Sequence, residues 1–217
     1  MFFVIFHNVY VVYNSIQYSA FVLRAPQMLD LYYNMEKTDT QLVQEYLQGD
    51  LGAYTHLMNR YMEMIYSFVY RFVYDEMRAQ DITQEVFIKV WRYMHKYDVA
   101  YSFKTWIFTI ARRTALDELK KRKIFTFSEL QEEDTNSFEE TLIDTTQLPD
   151  VYLDEKFARE HLQKAINQLP IQYKTVVLLR CDGELTFEEI GEVMKLPMNT
   201  VKSQYRRAIE KLRVYLK

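Results

Sequence analysis

The alternation of apolar and polar positions is clearest in residues 186–213, where it predicts two short helices joined by a tight turn. The first helix begins with a capping box, in which Thr186 and Glu189 each satisfy a free backbone N–H group of the other. Its apolar face is Ile190, Val193 and Met194. Pro197 ends this helix, because proline lacks an N–H donor and disfavours helical backbone in the residue before it. Asn199 is predicted to cap the second helix.

The second helix combines an apolar stripe with a basic face. The stripe is Val201, Tyr205, Ala208 and Leu212, and the opposite face carries Thr200, Lys202, Ser203, Arg206 and Arg207. From Lys195 onward there are seven Lys or Arg residues against one Glu, a balance of +6. Short polar and forked cationic side chains can reach base edges and phosphates, so this helix is predicted to read DNA. The alternative is a surface helical hairpin with a solvated face, although such faces usually mix their signs.

Helical periodicity also covers residues 35–123, which we interpret as a first, all-helical domain. Four helices are predicted in it. The first runs from the capping box of Thr38 and Gln41 to Gly49, and the second covers about Ala53 to Phe68. The third runs from about Arg78 to His95, and the fourth from about Ser102 to Lys123. The apolar face of the first is predicted to be Leu42, Val43, Tyr46 and Leu47. Residues 156–217 form a second domain, with helices at Phe157–Leu169 and about Tyr173–Arg180 before the helix pair described above.

The remaining segments differ in composition. Residues 124–155 contain ten Asp or Glu and no Lys or Arg. They are predicted to form a flexible acidic linker, because they offer little apolar surface to offset the entropy of ordering; a short structured insertion near Ser137–Leu142 is the alternative. Residues 1–34 carry no charged side chain before Arg24 and lack both a basic signal region and a continuous apolar span. They are interpreted as an upstream mis-assigned start or a poorly ordered extension, with a packed element or a membrane anchor as alternatives.

Overall composition argues against an enzyme. The chain has 217 residues, 49% hydrophobic content, a net charge of −3 and only four Gly and four Pro, which favours an all-α fold. One cysteine and four scattered histidines give no metal-ligand spacing, and no glycine-rich phosphate loop or nucleophile elbow is present. We therefore predict no catalytic residues, no metal, no cofactor and no small-molecule substrate.

A carboxylate stripe runs along the third helix of the first domain. Asp81, Gln84, Glu85 and Ile88 share one face, while Ile82, Val86 and Val90 share another. An isoleucine within a charged surround is typical of a protein interface with an apolar anchor. An ordinary solvated face explains the pattern equally well, and acid–base catalysis by paired carboxylates is a third explanation that no cleft chemistry accompanies.

Aromatic and basic residues are interleaved at the start of the fourth helix and in the loop before it. The aromatic set is Tyr97, Tyr101, Trp106 and Phe108, and the basic set includes Lys104, Arg112, Arg113 and residues 120–123. Cations that follow phosphates and rings that stack on bases suit single-stranded nucleic acid. The alternative is that the aromatics are core, as expected for Phe103 and Trp106, and that the lysines complement the negative end of the helix dipole.

Taken together, these motifs resemble the extracytoplasmic-function (ECF) sigma factors of the sigma-70 family. Asp81-x-x-Gln-Glu-x-Phe, Trp91, Phe103-Lys-Thr-Trp-Ile and Ile110-Ala-Arg-Arg-Thr-Ala-Leu-Asp resemble their region 2, and residues 169–212 resemble their region 4. The resemblance covers residue 35 to the C-terminus in matching order. It implies a protein that binds core RNA polymerase, recognises promoters and begins strand opening.

The resemblance also implies a role for each group of residues. Asp81, Gln84, Glu85 and Ile88 would contact core RNA polymerase at its clamp helices. Tyr97, Tyr101, Lys104, Thr105, Trp106, Arg112 and Arg113 would bind the single-stranded minus-10 element and promote melting. Thr200, Lys202, Ser203, Arg206 and Arg207 would bind the duplex minus-35 element. An anti-sigma factor is a further implied partner. Relatives often have Asn where this chain has Arg113. An arginine can pair with phosphate or guanine but cannot reproduce the contacts of an amide, so the resemblance does not extend to the exact minus-10 preference.

Two other functions compete with this interpretation. A conventional helix-turn-helix regulator would bind an operator without polymerase, usually as a dimer on paired half-sites. A membrane-tethered signalling protein would use residues 1–23 as its anchor.

Overall fold

The computed structural model describes the backbone of residues 37–129 and 150–216, and the side chains of residues 37–121 and 157–216. Its helices are α1 (Asp39–Leu47), α2 (Leu51–Val73), α3 (Glu76–Tyr93), α4 (Phe103–Glu129), α5 (Asp150–Asn167), α6 (Ile171–Cys181), α7 (Phe187–Met194) and α8 (Met198–Tyr215), with a short 3-10 turn at Met94–Lys96. Every regular element in the described ranges is helical, which confirms the predicted all-α class. None of these helices is long and apolar enough to cross a membrane.

Helices α1 to α4 form the first unit, and their ends follow from local chemistry. The Thr38 and Gln41 capping box is present at the start of α1. Asp50 and Asp75 cap α2 and α3 by accepting backbone N–H groups. Leu42 and Val43 are fully buried, but Leu47 is 52% exposed, so its predicted place on the apolar face is wrong. Leu47 is the last residue of its helix, where fewer neighbouring side chains are available to cover it.

Helices α4 and α5 both extend into the segment that was predicted to be a linker. Helix α4 continues to Glu129, beyond the expected end near Lys123, and α5 begins at Asp150 rather than at Phe157. Residues 130–149, including the suggested turn near Ser137–Leu142, lie outside the described residues, as does the N-terminal segment 1–34.

Helices α5 to α8 form the second unit, which contains the predicted helix-turn-helix. The capping box of Thr186 and Glu189 opens α7, as expected, and α7 ends at Met194, followed by Lys195 in the left-handed conformation. The predicted Asn199 cap is wrong: α8 begins at Met198 after Pro197, with no side-chain cap. The fixed φ of Pro197 already suits a residue that precedes a helix, so no side-chain cap is required for this helix to begin there.

The turn between α7 and α8 depends on Gly191. The Leu196 N–H group donates to the Gly191 carbonyl at 2.9 Å. A β-carbon on Gly191 would lie 2.8 Å from the Leu196 carbonyl oxygen, closer than side chains tolerate. The turn can therefore close only because this position lacks a side chain.

We expect Gly191→Ala to destabilise the protein by about 2 kcal/mol, because the backbone must move to relieve the overlap. Urea unfolding followed by circular dichroism measures this change. Gly52→Ala is the control: its β-carbon would meet the capping carboxylate of Asp50 at 3.0 Å, so a side chain and not the backbone must shift. Equal unfolding midpoints for the two variants would contradict the packing argument.

The two units pack against each other, α2 against α6 and α4 against α7, and their buried side chains form one continuous core. Phe108 of α4 is fully buried and lies next to Gly183, where a β-carbon would approach the ring to 3.1 Å. The arrangement brings the turn between α6 and α7 over the first turns of α4.

A polar cluster, which we call the clasp, lies beside this apolar contact. It consists of Arg71 and Phe72 on α2 with Gln163, Lys174 and Asp182 of the second unit. The Gln163 side chain donates to the Arg71 carbonyl at 2.9 Å, and the Arg71 guanidinium pairs with the Asp182 carboxylate at 3.3 Å. Lys174 lies 5.7 Å from the centre of the Phe72 ring and donates to Asn167 at 2.7 Å.

The clasp withdraws two ionisable groups from water. Burial lowers the pKa of Lys174 to about 8, and burial raises the pKa of Asp182 although Arg71 opposes that shift. One carboxylate oxygen of Asp182 has no hydrogen-bond partner among the described residues. Both groups regain their hydration if the two units separate, so the clasp favours separation more than an all-apolar contact would.

Candidate nucleic-acid interface

Helix α8 presents the basic face that the sequence predicts. Lys202, Arg206 and Arg207 are exposed, while Thr200 and Ser203 are half-buried beside them. On the other side Val201, Ala208 and Leu212 are buried, which confirms most of the predicted apolar stripe. The Ser203 hydroxyl donates to the Thr200 carbonyl at 2.8 Å, so it can still accept a hydrogen bond from a ligand.

Neighbouring aromatic and cationic groups fix the orientation of α8. Phe187 of α7 packs edge-on against Tyr205 at 5.4 Å between ring centres. The Arg180 guanidinium lies over the Phe187 ring, 5.3 Å from its centre, and donates to the Leu185 carbonyl at 2.7 Å. Helix α8 is therefore supported by packed side chains of α6 and α7, and its cations project from the surface.

The loop between α3 and α4 is held by its own hydrogen bonds. The Asp98 side chain accepts the Ala100 N–H group at 2.9 Å, and its carbonyl accepts the Tyr101 N–H group at 3.1 Å. The Tyr97 hydroxyl donates to the Tyr101 carbonyl. The ring of Tyr97 packs on Phe103 and Trp106 at 5.5 and 5.2 Å. This braced loop leaves the Tyr101 side chain 61% exposed at its tip.

The predicted minus-10 residues divide into exposed and buried sets. Tyr101 and Arg113 are exposed, and Lys104, Trp106 and Arg112 are half-buried. Tyr97 and Thr105 are buried, at 8% and 5% exposure, so neither side chain faces solvent. The Tyr97 hydroxyl supports the loop, whereas the Thr105 hydroxyl has no hydrogen-bond partner among the described residues. Lys104 donates to the Glu184 carbonyl of the second unit at 3.5 Å.

Arg112 differs from the other cations of α4. Burial lowers its pKa, and the adjacent positive charge of Arg113 lowers it further. Its Nε atom is buried without a hydrogen-bond partner among the described residues. A half-buried guanidinium with unused donors is well suited to an incoming anion such as a phosphate.

The carboxylate stripe of α3 lies on one exposed face. Asp81, Gln84 and Glu85 are exposed, and Ile88 is 39% exposed between them and the end of the helix. Glu85 pairs with Lys89 at 2.8 Å, and Lys89 also donates to the Thr114 hydroxyl on α4 at 3.0 Å. The stripe is thus attached to α4, the helix that carries residues predicted to bind the minus-10 element.

Trp91 extends this face and was not predicted as a site residue. It is 41% exposed and follows Ile88 by three positions, which continues the same helical spacing. That spacing was the available signal. A large exposed aromatic beside an exposed isoleucine is typical of the apolar centre of a protein interface.

Comparison with protein-family models gives one match in each of the two helical units. The model described as Sigma-70 region 2 matches residues 57–124, and the model described as Sigma-70, region 4 matches residues 159–212. The RNA polymerase sigma-H factor of Pseudomonas aeruginosa is 34% identical over 179 residues, covering 81% of this chain and 92% of that protein. The ECF RNA polymerase sigma factor SigW of Bacillus subtilis is 28% identical over 185 residues, covering 84% of this chain and 99% of that protein.

Two solved structures share the fold. CnrH, in complex with the cytosolic domain of CnrY, aligns with a TM-score of 0.62 and 18% identity over 82% of this chain and 96% of CnrH. The sigma factor RpoE from Bartonella quintana, in complex with the anti-sigma factor NepR, aligns with a TM-score of 0.59 and 21% identity. The alignment covers 75% of this chain and 96% of that chain. With two matching regions in order and relatives that span most of its length, the chain belongs to the ECF sigma factors of the sigma-70 family.

Proposed function

We propose that this protein is the promoter-recognition subunit of a bacterial RNA polymerase, acting in the cytoplasm. It binds core polymerase, recognises the minus-35 and minus-10 elements and begins promoter melting. The observation that carries the proposal is the presence of two distinct polar surfaces, the basic face of α8 and the loop and first turns of α4, within one chain that also matches both sigma-70 regions.

Each surface has a separate task in this proposal. Arg206, Arg207 and Lys202 enter the major groove of the minus-35 element, where forked donors pair with guanine edges and phosphates. Tyr101 and Trp106 stack on unpaired bases of the minus-10 element, while Arg112 and Arg113 bind its phosphates. Tyr97 is buried and acts by holding the loop in place through its hydrogen bond to the Tyr101 carbonyl. Stacking and pocket contacts offset the few kcal/mol needed to extrude a base.

Polymerase binding is assigned to α3. Asp81, Gln84 and Glu85 form the polar part of that surface, and Ile88 with Trp91 forms its apolar centre. A mixed surface of this kind suits a basic partner helix with an apolar stripe. An anti-sigma factor is proposed as a further partner that would cover these surfaces.

Transcription from defined templates tests the function. The protein and core polymerase together are expected to yield initiated transcripts from a library of candidate promoters, whereas each alone yields none. A gel shift with and without core polymerase separates this function from that of a conventional regulator, which binds duplex DNA by itself. Absence of transcripts from every promoter would overturn the proposal.

A further inference from the structure

Side-chain contacts connect the start of α1 to the loop between α3 and α4, although the two are distant in sequence. Asp39, the first residue of α1, has a half-buried carboxylate that accepts hydrogen bonds from two residues of α2. The Arg60 guanidinium donates to one of its oxygens at 2.5 Å, and the Tyr61 hydroxyl donates to the other. Arg60 also donates to the Lys37 carbonyl at 2.8 Å. The carboxylate therefore fixes two adjacent side chains of α2.

The Tyr61 ring continues this connection into the aromatic cluster that supports the loop. Tyr61 is 5% exposed and packs against Phe103, the first residue of α4, at 5.4 Å between ring centres. Phe103 in turn lies edge-on to Tyr97 at 5.5 Å, and the Tyr97 hydroxyl donates to the Tyr101 carbonyl. A displacement of the Tyr61 ring would therefore pass through two packed rings to the backbone at the tip of the loop.

The ionisation of the two tyrosines gives a second indication that Asp39 lies close to the loop. Burial raises the pKa of Tyr61, and its hydrogen bond to Asp39 raises it further. Burial also raises the pKa of Tyr97, and the negative charges of Asp39 and Asp98 add to that rise. Both hydroxyl groups therefore stay protonated at neutral pH and remain hydrogen-bond donors.

We propose that Asp39 and Tyr61 are positioning residues for promoter opening, which hold the loop at Tyr97–Tyr101 in the form that captures an unpaired base. The inference rests on the proposed function for the task of the loop. The restraint on the loop itself rests only on contacts within the first unit. Neither residue needs to touch DNA, because each acts through the ring of Phe103.

Tyr61→Phe tests this connection, because the substitution removes the hydroxyl group and keeps the ring. Tyr54→Phe is the matched control. Tyr54 lies on the same helix and donates to the Phe87 carbonyl at 2.7 Å, but its ring packs on Tyr46 of α1 at 5.6 Å. Each variant loses one hydroxyl hydrogen bond, so urea unfolding followed by circular dichroism is expected to show two folded proteins that are less stable than the parent.

Amide hydrogen exchange of the free protein, followed by NMR, measures how firmly the loop is held. The Ala100 and Tyr101 amides donate to the side chain and the carbonyl of Asp98. In Tyr61→Phe these two amides are expected to exchange about fivefold faster than in the parent. In Tyr54→Phe they are expected to exchange at the parent rate. Equal exchange rates of the loop amides in the two variants would overturn the restraint.

The Arg78 amide serves as an internal reference at the opposite end of α3. It donates to the Asp75 side chain at 3.1 Å, and its exchange rate is expected to be the same in both variants as in the parent. Faster exchange at Arg78 and in the loop alike would show a general loosening of the first unit and would overturn a specific restraint.

Asp39→Ala tests whether the carboxylate acts through Tyr61. It is expected to accelerate exchange in the loop at least as much as Tyr61→Phe does. Adding Tyr61→Phe to Asp39→Ala is then expected to have no further effect, because the same hydrogen bond is already lost. Additive increases would show that the two residues act separately, which would overturn the proposed connection.

Promoter opening by the holoenzyme tests the task of the loop. At a promoter that yields transcripts in the transcription test, a fluorescent adenine analogue in the minus-10 element reports the opening rate. Tyr61→Phe is expected to open the promoter about fivefold more slowly than Tyr54→Phe, because a loosened loop must be ordered during opening. Both variants are expected to bind core polymerase equally.

Equal opening rates in the presence of a loosened loop would overturn the positioning role. Absence of initiated transcripts from every promoter would remove the task of the loop, whereas the exchange measurement would still decide the restraint. Exchange is measured without polymerase or DNA, so failure of the proposed function and failure of the restraint give different results.

Discussion

Reversing the charges of Asp81 and Glu85 together, as Asp81→Arg with Glu85→Arg, is expected to weaken binding to core RNA polymerase by about 100-fold. Both side chains are exposed on the same face of α3, beside Ile88. A surface that attracts a basic partner then repels it, and like charges at an interface cost several kcal/mol. Anisotropy of the dye-labelled protein titrated with core polymerase measures this loss.

The structure supplies a control with the same change in net charge. Glu63→Arg with Glu76→Arg alters two exposed carboxylates that lie outside the stripe, on α2 and at the start of α3. This variant is expected to bind polymerase within about threefold of the parent, as surface charges remote from an interface have small effects. Comparable losses in both double variants would remove the assignment of the stripe to polymerase.

Removing a recognition arginine is the second change for which we expect a large effect. Arg206→Ala and Arg207→Ala are each expected to weaken promoter recruitment of the holoenzyme by about tenfold to 100-fold, because a bidentate arginine contributes about 1–3 kcal/mol at a base edge. Folding should not change, because both arginines are exposed. Arg206 pairs only with Glu210, at 3.8 Å, and the side chains of that pair are 74% and 62% exposed. Filter binding of holoenzyme to promoter DNA measures the effect.

The salt dependence of binding separates the two roles of an arginine. Loss of a phosphate contact reduces the slope of log affinity against log salt by about 1, whereas loss of a base contact reduces discrimination between promoter sequences. Arg213→Ala, near the end of the same helix, is the matched control and should have little effect on discrimination. A parallel loss of polymerase binding by Arg206→Ala would show that α8 does something other than read DNA.

Much of each unit could be predicted because local rules decide it. Capping boxes at Thr38 and Thr186 and the spacing of Val201, Ala208 and Leu212 determine where helices begin and which face is buried. These signals act within a few residues along the chain and need no knowledge of distant partners.

The contact between the units could not be predicted in the same way. The sequence suggests that polar residues such as Gln163, Lys174 and Asp182 face solvent. In the structure each of these side chains is only 7% exposed, where the second unit packs against α2. Such burial depends on two surfaces that complement each other in three dimensions. The burial of Tyr97 and Thr105 has a similar origin, since an aromatic or a short polar residue is compatible with either core or surface.

The braced loop at Tyr97–Tyr101 bears on the speed of promoter opening. A disordered loop would lose about 1–2 kcal/mol of backbone entropy for each residue that becomes fixed when it captures a base. Here the Asp98 side chain, the Tyr97 hydroxyl and the packed rings have already fixed the backbone. If this loop captures a base as proposed, the barrier to opening is set mainly by unstacking of the DNA, so its temperature dependence should follow the stability of the promoter sequence and not the ordering of the protein.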